Sequence, residues 1–453
     1  MYSTMSCDKP NIAVVVLDTL RKDSFDNNFD WLSGQRYGNA WSTSHGTVPA
    51  HASLFTGYYS SEVNMTFASR MFDCDTPTLP ELLSESGYQV RGFSCNTNIT
   101  PAFNWNRGFD ELSGPSHIPG FETDILDWKQ FIETVDGEGP VRYLKAIYEC
   151  FARDCKTLPS LKAGLNLKLE DAGIDRYDDM GGDEAIEWIR SSSFDASGEF
   201  VFLNLMEAHG PYEAPQGWAT TDPVDTDGVR TALDGYDRQI DDVRQAYEDE
   251  VRYLSHIYEQ IFDELTETMD MVVTLSDHGE AFGEQGVYQH LVGLQTELCH
   301  VPIVVSGDAA TRVKETENPV SLIDVFQTVL DFASVDRPSG TRGVSLFNDT
   351  PTDPRLTQYH GLVSRSRERM ERGGISTDLI DSLDQCLSGV VTRNGYQFQT
   401  PDSDGFRIEG APDEDGESVL ASLKESLVEV ESTGVSEDVS NTVEQHLRDL
   451  GYA

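Results

Sequence analysis

The sequence predicts an α/β protein: a large, mostly parallel sheet covered by helices on both faces, with a small C-terminal β-plus-helix subdomain. Three observations carry that expectation. Short β-branched apolar runs recur along the chain, helix-period stretches separate them, and the texture changes after about residue 345.

The strand candidates are "NIAVVVL" (11–17), "YQVRGFS" (88–94), "EFVFLNLM" (199–206), "MDMVVTLS" (269–276) and "VPIVVSG" (301–307). Each is nearly continuously apolar, as expected of strands buried on both faces. Amphipathic helices are expected at 76–87, 182–193 and along the long stretch 237–269, whose Tyr/Leu stripe over 247–264 reads as core-facing. Residues 117–180 read as a helical insertion beside the sheet, giving a catalytic domain over 9–347. In the remainder, 348–453, two strand-like pieces (389–400 and 405–410) precede a final helix expected over about 416–449.

Composition narrows the function classes. With 453 residues the chain is long enough for a deep core, and 38% hydrophobic with 10% aromatic content is too rich for a disordered acidic protein. Its 78 acidic against 33 basic residues give a formal net charge of −45, which repels nucleic acid and anionic lipid. No nucleic-acid partner is expected. The seven cysteines are scattered without a CxxC pair, which reads as a reduced compartment. The apolar run near the start ends at Asp18, too short for a membrane span or a secretory signal, so a soluble cytoplasmic protein is expected. The spread acidic shell resembles that of salt-adapted haloarchaeal cytoplasmic proteins.

In open parallel sheets ligands bind beyond the carboxyl ends of the strands. Three polar clusters stand there: Asp18 after "VVVL", Glu207 and His209 after "FVFLNL", and Asp277 with His278 after "VVTL". Asp18, Asp277 and His278 offer oxygen and nitrogen donors suited to one divalent ion, Mn, Ca, Mg or Zn. Taken singly each has a plainer explanation, the Asp as a helix cap and the His as a hydrogen-bonded core residue.

In their order, "VVLDTLRKDSF", "TVPAHASLFTG", "TLPELLSESGYQVRGFSCN", "MEAHGPYEAP", "LSDHGEAFGEQG" and "HVPIVVSG" resemble the sulfatase family of the alkaline-phosphatase-like superfamily. The resemblance implies a metal held by Asp18, Asp277 and His278 and a nucleophile at Thr47. It places His51 where the family carries a basic residue that contacts the substrate anion and the nucleophile, makes His209 the catalytic histidine of an H-x-P-Y motif, and puts His290 near a later substrate-contacting position; His209, ahead of His290, is expected to protonate the leaving group. The substrate-contacting Asn that usually follows the TG is absent or shifted to Asn64. A second-metal D-x-x-x-H motif is missing, so one ion is expected rather than two.

Thr47 sets the chemistry apart. Sulfatases oxidise a Cys or Ser here to formylglycine, a route closed to threonine by its extra methyl. An alcohol beside a divalent metal still attacks phosphorus, so a phosphate ester, phosphodiester or phosphonate substrate is expected, carried by a small molecule or a glycan. The alternatives are a sulfuric ester hydrolase and a catalytically silent protein that binds an anionic glycan. For Thr47 itself, the plain alternative is an N-cap hydroxyl for a helix beginning near Pro49.

Overall fold

The computed structural model describes residues 9–430 apart from 67–69, 119, 122–125, 127–139, 153–155, 158–159, 162–163, 165–179, 195–196, 225–227, 348–352, 363, 402 and 429. Most of the expected insertion at 117–180 lies outside the described residues; a helix at Pro140–Ala152 is its longest described piece.

Strands β1 (Ile12–Leu17), β2 (Gln35–Arg36), β4 (Gln89–Ser94), β5 (Glu111–Ser113), β6 (Glu199–Leu205), β7 (Met271–Leu275) and β8 (Ile303–Gly307) form one sheet in the order β2-β8-β7-β1-β6-β4-β5. Strands β3 (Ala40–Trp41) and β9 (Val320–Ser321) make a separate short parallel pair. β1 lies at the centre, parallel to β6 on one side and β7 on the other. β8 runs antiparallel to both β7 and β2, the exception in a mostly parallel sheet.

The alternation of a strand explains the two layers. Ile12, Val14 and Val16 face one way, onto Val48 and Phe55 of the helix Thr47–Thr56 and Val325 and Val329 of the helix Leu322–Phe332. Ala13, Val15 and Leu17 face the other, onto Phe25, Ile186 and the Val251, Leu254 and Ile261 stripe of the helix Ile240–Thr266. Every residue of β1 is at most 1% exposed. Burying each aliphatic chain so completely contributes about 1.5–3 kcal/mol.

Strands β10 (Arg355–His360), β11 (Cys386–Thr392), β12 (Gly395–Thr400) and β13 (Ser403–Gly410) form a four-stranded antiparallel sheet in sequence order. The helix Gly416–Ser426 packs on it through Val419 and Leu420. That helix ends at Ser426, where Leu427 turns extended (ψ 144°), rather than continuing toward residue 449; residues 431–453 lie outside those described. The small sheet is joined through β10 to the segment that precedes the helix Thr47–Thr56. Gln358 N donates to Thr43 O (2.9 Å), and Ser44 Oγ donates to Gln358 O (2.8 Å).

A buried ion pair pins the same strand. Arg355 donates from Nε and Nη2 to the two oxygens of Asp324, each at 3.0 Å. Asp324 also accepts from Ser321 N and Val344 N, both at 2.8 Å. Replacing one partner strands the other charge in the interior, which typically costs about 3–5 kcal/mol. Asp324→Ala is therefore expected to lower unfolding stability by about that amount in urea titration at constant salt, whereas Asp331→Ala, at an exposed position of the same helix, changes it little.

Candidate active site

The site lies at the carboxyl edge of β1, β4, β6 and β7. Asp18, directly after β1, is fully buried and hydrogen-bonded on both oxygens. Thr19 Oγ1 donates to its Oδ1 (2.9 Å), and Asn96 Nδ2, from the loop after β4, donates to its Oδ2 (2.8 Å). Thr19 adopts φ 61°, a left-handed conformation that is uncommon for a β-branched residue. In that conformation its N–H reaches Asp277 Oδ1 (3.2 Å), so one strained residue contacts both acidic side chains.

Asp277 and His278 follow β7. His278 Nδ1 donates to Gly279 O (2.9 Å), which leaves Nε2 as a lone pair 3.8 Å from Asp18 Oδ1 and 3.6 Å from Asp277 Oδ2. This carbonyl contact fixes the tautomer in the manner of metal-bound histidines. Burial, then the neighbouring His290, press His278 down to about 3, so the ring is neutral at ordinary pH. Burial and the charge of Asp18 push Asp277 well above the usual carboxylate range. Burial also opposes the charge on Asp18, but His278, His209, His51 and the Asn96 bond outweigh it and hold Asp18 below its ordinary value.

Thr47 opens the helix Thr47–Thr56 at the first helical position, with Gly46 as the cap. The N-cap explanation therefore fails: the helix starts two residues before Pro49, and the Thr47 side chain makes no capping bond. Instead Thr47 Oγ1 stands 3.3 Å from His278 Nε2, where its O–H donates to the lone pair. The hydroxyl stands at the helix start, where the positive end of the helix dipole favours an anion.

His51, one turn on, is fully buried among the ring edges of Phe55, Trp105 and Phe202. Its Nδ1 donates to Thr47 O (3.0 Å), Asn204 Nδ2 donates to its Nε2 (3.2 Å), and Asp277 Oδ2 lies 3.5 Å from Nδ1. Both ring nitrogens are thus engaged within the protein, and the geometry assigns His51 to holding the Thr47 turn.

His209 and His290 converge on the opposite side, with ring centroids 5.1 Å apart; His290 also lies 4.6 Å from His278. His209 Nδ1 donates to Gly210 O (2.6 Å), and burial followed by the nearby His290 lowers its pKa. Burial alone would lower His290 too, but Glu280, 3.1 Å from its Nδ1, raises it above the ordinary value. Tyr212 Oη donates to the other Glu280 oxygen (2.8 Å). Asn64 stands apart in a left-handed turn (φ 55°), and no described hydrogen bond or ion pair joins it to Thr47, the carboxylates or these histidines.

Asn96, Thr19, Asn204 and Glu280 belong to the site although none stood out as a candidate. Asn96 and Thr19 each directly follow a residue at or next to a strand end, and Glu280 sits within "SDHGE"; those places were the available signal. Asn204 lies inside an apolar strand, where an amide needs a buried partner.

The ligand atoms of Asp18, Asp277 and His278 all lie within 4.8 Å of one another. Asp277 Oδ2 is buried without a hydrogen-bond partner. Two adjacent buried carboxylates, a tautomer-locked imidazole and an unmet oxygen suit a divalent cation. Added Mn²⁺ is expected to raise the thermal unfolding midpoint of chelator-treated protein; a ligand at one hundred times its Kd stabilises by about 2.7 kcal/mol. Asp277→Asn is expected to abolish that rise while raising the metal-free midpoint by relieving the buried like charges, as differential scanning fluorimetry with and without EDTA will read.

A covered parallel sheet that gathers two carboxylates, an imidazole and a helix-start hydroxyl at its carboxyl edge defines the alkaline-phosphatase-like class of metal-site folds. Within that class, residues 10–335 match the family described as Sulfatase, and the chain belongs to this family. It is similar to an N-acetylglucosamine-6-O-sulfatase of Bacteroides thetaiotaomicron, 24% identical over 387 residues that cover 72% of this chain and 67% of the relative. The chain thus spans about two thirds of that relative's length. In fold it is similar to a phosphonate monoester hydrolase of Agrobacterium radiobacter (TM-score 0.56, 15% identity, covering 98% of this chain and 95% of the other). It is likewise similar to a 2-O GAG sulfatase (TM-score 0.55, 15% identity, covering 92% of this chain and 90% of the other). Among the described residues no helix is long and apolar enough to cross a membrane.

Proposed function

We propose that the chain is a metal-dependent hydrolase or transferase of anionic esters, with Thr47 as nucleophile and a phosphate ester, phosphodiester or phosphonate as preferred substrate. The observation that carries this reading is the placement of Thr47 Oγ1: free of any capping role, at a helix start, 3.3 Å from the lone pair of His278 and beside the Asp18–Asp277 cradle. A divalent cation held by Asp18, Asp277 and His278 would supply Lewis-acid charge next to that hydroxyl.

The chain's own residues divide the remaining work. His51 fixes the backbone of Thr47 through its carbonyl, and Asn96 and Thr19 orient Asp18. As Thr47 Oγ1 bonds to phosphorus and passes its proton to a non-bridging oxygen of the substrate, the bond to the leaving oxygen breaks. His290 then supplies the proton to that oxygen. The pKa directions favour His290 over His209 for this role, because Glu280 raises His290 against its burial while burial and the neighbouring His290 lower His209. Attack by water or an acceptor alcohol on the phospho-threonine restores the enzyme.

A sulfate-ester substrate is the second reading, favoured by the sulfatase relatives. Thr47→Ala is expected to lower kcat by about a thousandfold or more, with Thr47→Ser retaining turnover. Activity is expected to fall as pH rises through the elevated His290 pKa, and Glu280→Gln to move that alkaline limb to lower pH. Turnover of aryl phosphates, phosphodiesters, phosphonates and sulfates side by side decides the anion; a sulfate-only profile contradicts the phosphate preference.

We further propose a cytoplasmic, salt-adapted setting. The net charge of −45 supports it, as do the free buried thiols of Cys74 and Cys299. Screening by molar KCl is expected to raise the unfolding midpoint relative to dilute buffer.

A further inference from the structure

His290 comes to the site on a hairpin. Gly283 N donates to Val287 O (2.8 Å), Gln289 N donates to Ala281 O (2.7 Å), and Phe282 pairs with Tyr288 across the two arms. One step further along this antiparallel register, Glu280 falls opposite His290 at a position without cross-strand bonds, where facing side chains stand closest. The pairing of the arms thus sets the 3.1 Å contact between Glu280 and His290, and a slip of one residue would turn a different side chain to His290.

The arms need outside support to keep that register. Gln285 (φ 55°), in the turn, and Gln289 (φ 57°), just before His290, are left-handed without being glycine. Such residues persist where their surroundings hold them. The hold comes from Arg21, three residues beyond Asp18 and 6% exposed. Its Nη1 donates to Glu280 O (2.8 Å) at the base of the hairpin and to Glu284 Oε1 (3.0 Å) at the tip, while Nε and Nη2 donate to Asp23 (2.8 and 2.7 Å). The other Glu284 oxygen accepts Phe282 N (2.5 Å), and Arg244 of the helix Ile240–Thr266 also reaches Oε1. One guanidinium thereby joins the segment after β1, which carries Asp18, to both ends of the element that carries His290.

We propose that Arg21, acting through Glu284 and the Glu280 carbonyl, is a positioning residue for proton transfer to the leaving group: it holds the hairpin in the register that keeps His290 at the leaving oxygen. This rests on the hydrolase reading above and adds what sets its general acid in place. Glu280 occupies His290 Nδ1, so Nε2 is the nitrogen that gives the proton. As the bond from phosphorus to the leaving oxygen breaks, that oxygen keeps the electron pair and takes the Nε2 proton. The water that then attacks the phospho-threonine returns a proton to the ring. A poor leaving group needs this transfer, whereas a good one departs without it.

Glu284→Gln keeps an acceptor for Phe282 N and removes the charge that Arg21 and Arg244 grip; Arg21→Met removes the guanidinium. Steady-state kinetics compare the phenyl and 4-nitrophenyl esters of the anion that the wild type turns over. In both variants kcat is expected to fall about thirtyfold or more on the phenyl ester and less than about threefold on the 4-nitrophenyl ester. His290→Gln is expected to show the same selective fall, and Glu284→Gln to add nothing to it in the double variant. Mn²⁺ is expected to raise the unfolding midpoint of Glu284→Gln as it does that of the wild type, because no ligand of the cradle is touched. An equal fall on the two esters, an additive double variant, or loss of the Mn²⁺ response overturns the proposal. If Arg21→Met does not fold, Glu284→Gln decides alone. If the wild type turns over neither ester, the hydrolase reading fails and the proposal falls with it; turnover with an unchanged ester ratio in the variants defeats the proposal alone.

Discussion

The structure turns on two carboxylates buried side by side. Asp18 and Asp277 follow neighbouring central strands and are both fully buried, so bulk water screens their repulsion little. Much of the surrounding geometry answers that constraint. Thr19 takes a left-handed φ to reach both, Asn96 donates to one, and His278 turns a lone pair toward the pair by giving its other nitrogen to Gly279 O. One carboxylate oxygen still has no hydrogen-bond partner. A site that concentrates negative charge in a dry interior and leaves an oxygen unmet is arranged around a cation, and the Thr47 hydroxyl is placed where that cation's field acts.

The two sheets share this site rather than merely neighbouring it. The segment just before Thr47 is hydrogen-bonded to β10 through Thr43, Ser44 and Gln358, and His45 packs its ring edge-on to Tyr359 with centroids 4.7 Å apart. The Arg355–Asp324 pair fixes β10 against the helix Leu322–Phe332, which in turn packs on the helix Thr47–Thr56. The position of Thr47 thus depends on contacts made more than 300 residues later in the chain, which is one physical reason for a C-terminal sheet that contributes none of the cradle's ligands.

The long central strands were legible because burial on both faces writes them as unbroken apolar runs, and the observed limits differ from those runs by at most two residues at either end. β2, β3, β5 and β9 span only two or three residues and carry no period to detect. β10 was hidden for another reason: "RLTQYH" looks solvated, but its arginine is paired inward. Asp18, Asp277 and His278 could be picked out because strand ends are where sheets place ligands. The roles of their neighbours were not legible. Asn96 acts by a hydrogen bond to Asp18 across 78 residues, Glu280 by one to His290, and His51 by one to a backbone carbonyl, none of which leaves a spacing signal. His51 shows the difference most clearly: its place in the motif suggested a substrate contact, whereas its two nitrogens are occupied by Thr47 O and Asn204.

The central claim is that Thr47 becomes covalently esterified during turnover. Rapid acid quenching of wild-type protein turning over an aryl phosphate ester in Mn²⁺ and molar KCl, followed by peptide mass spectrometry, tests it directly. A phosphoryl adduct on the peptide bearing Thr47, absent without substrate, is the predicted result. Steady turnover with that peptide unmodified, or an adduct mapped to another residue, would contradict the account.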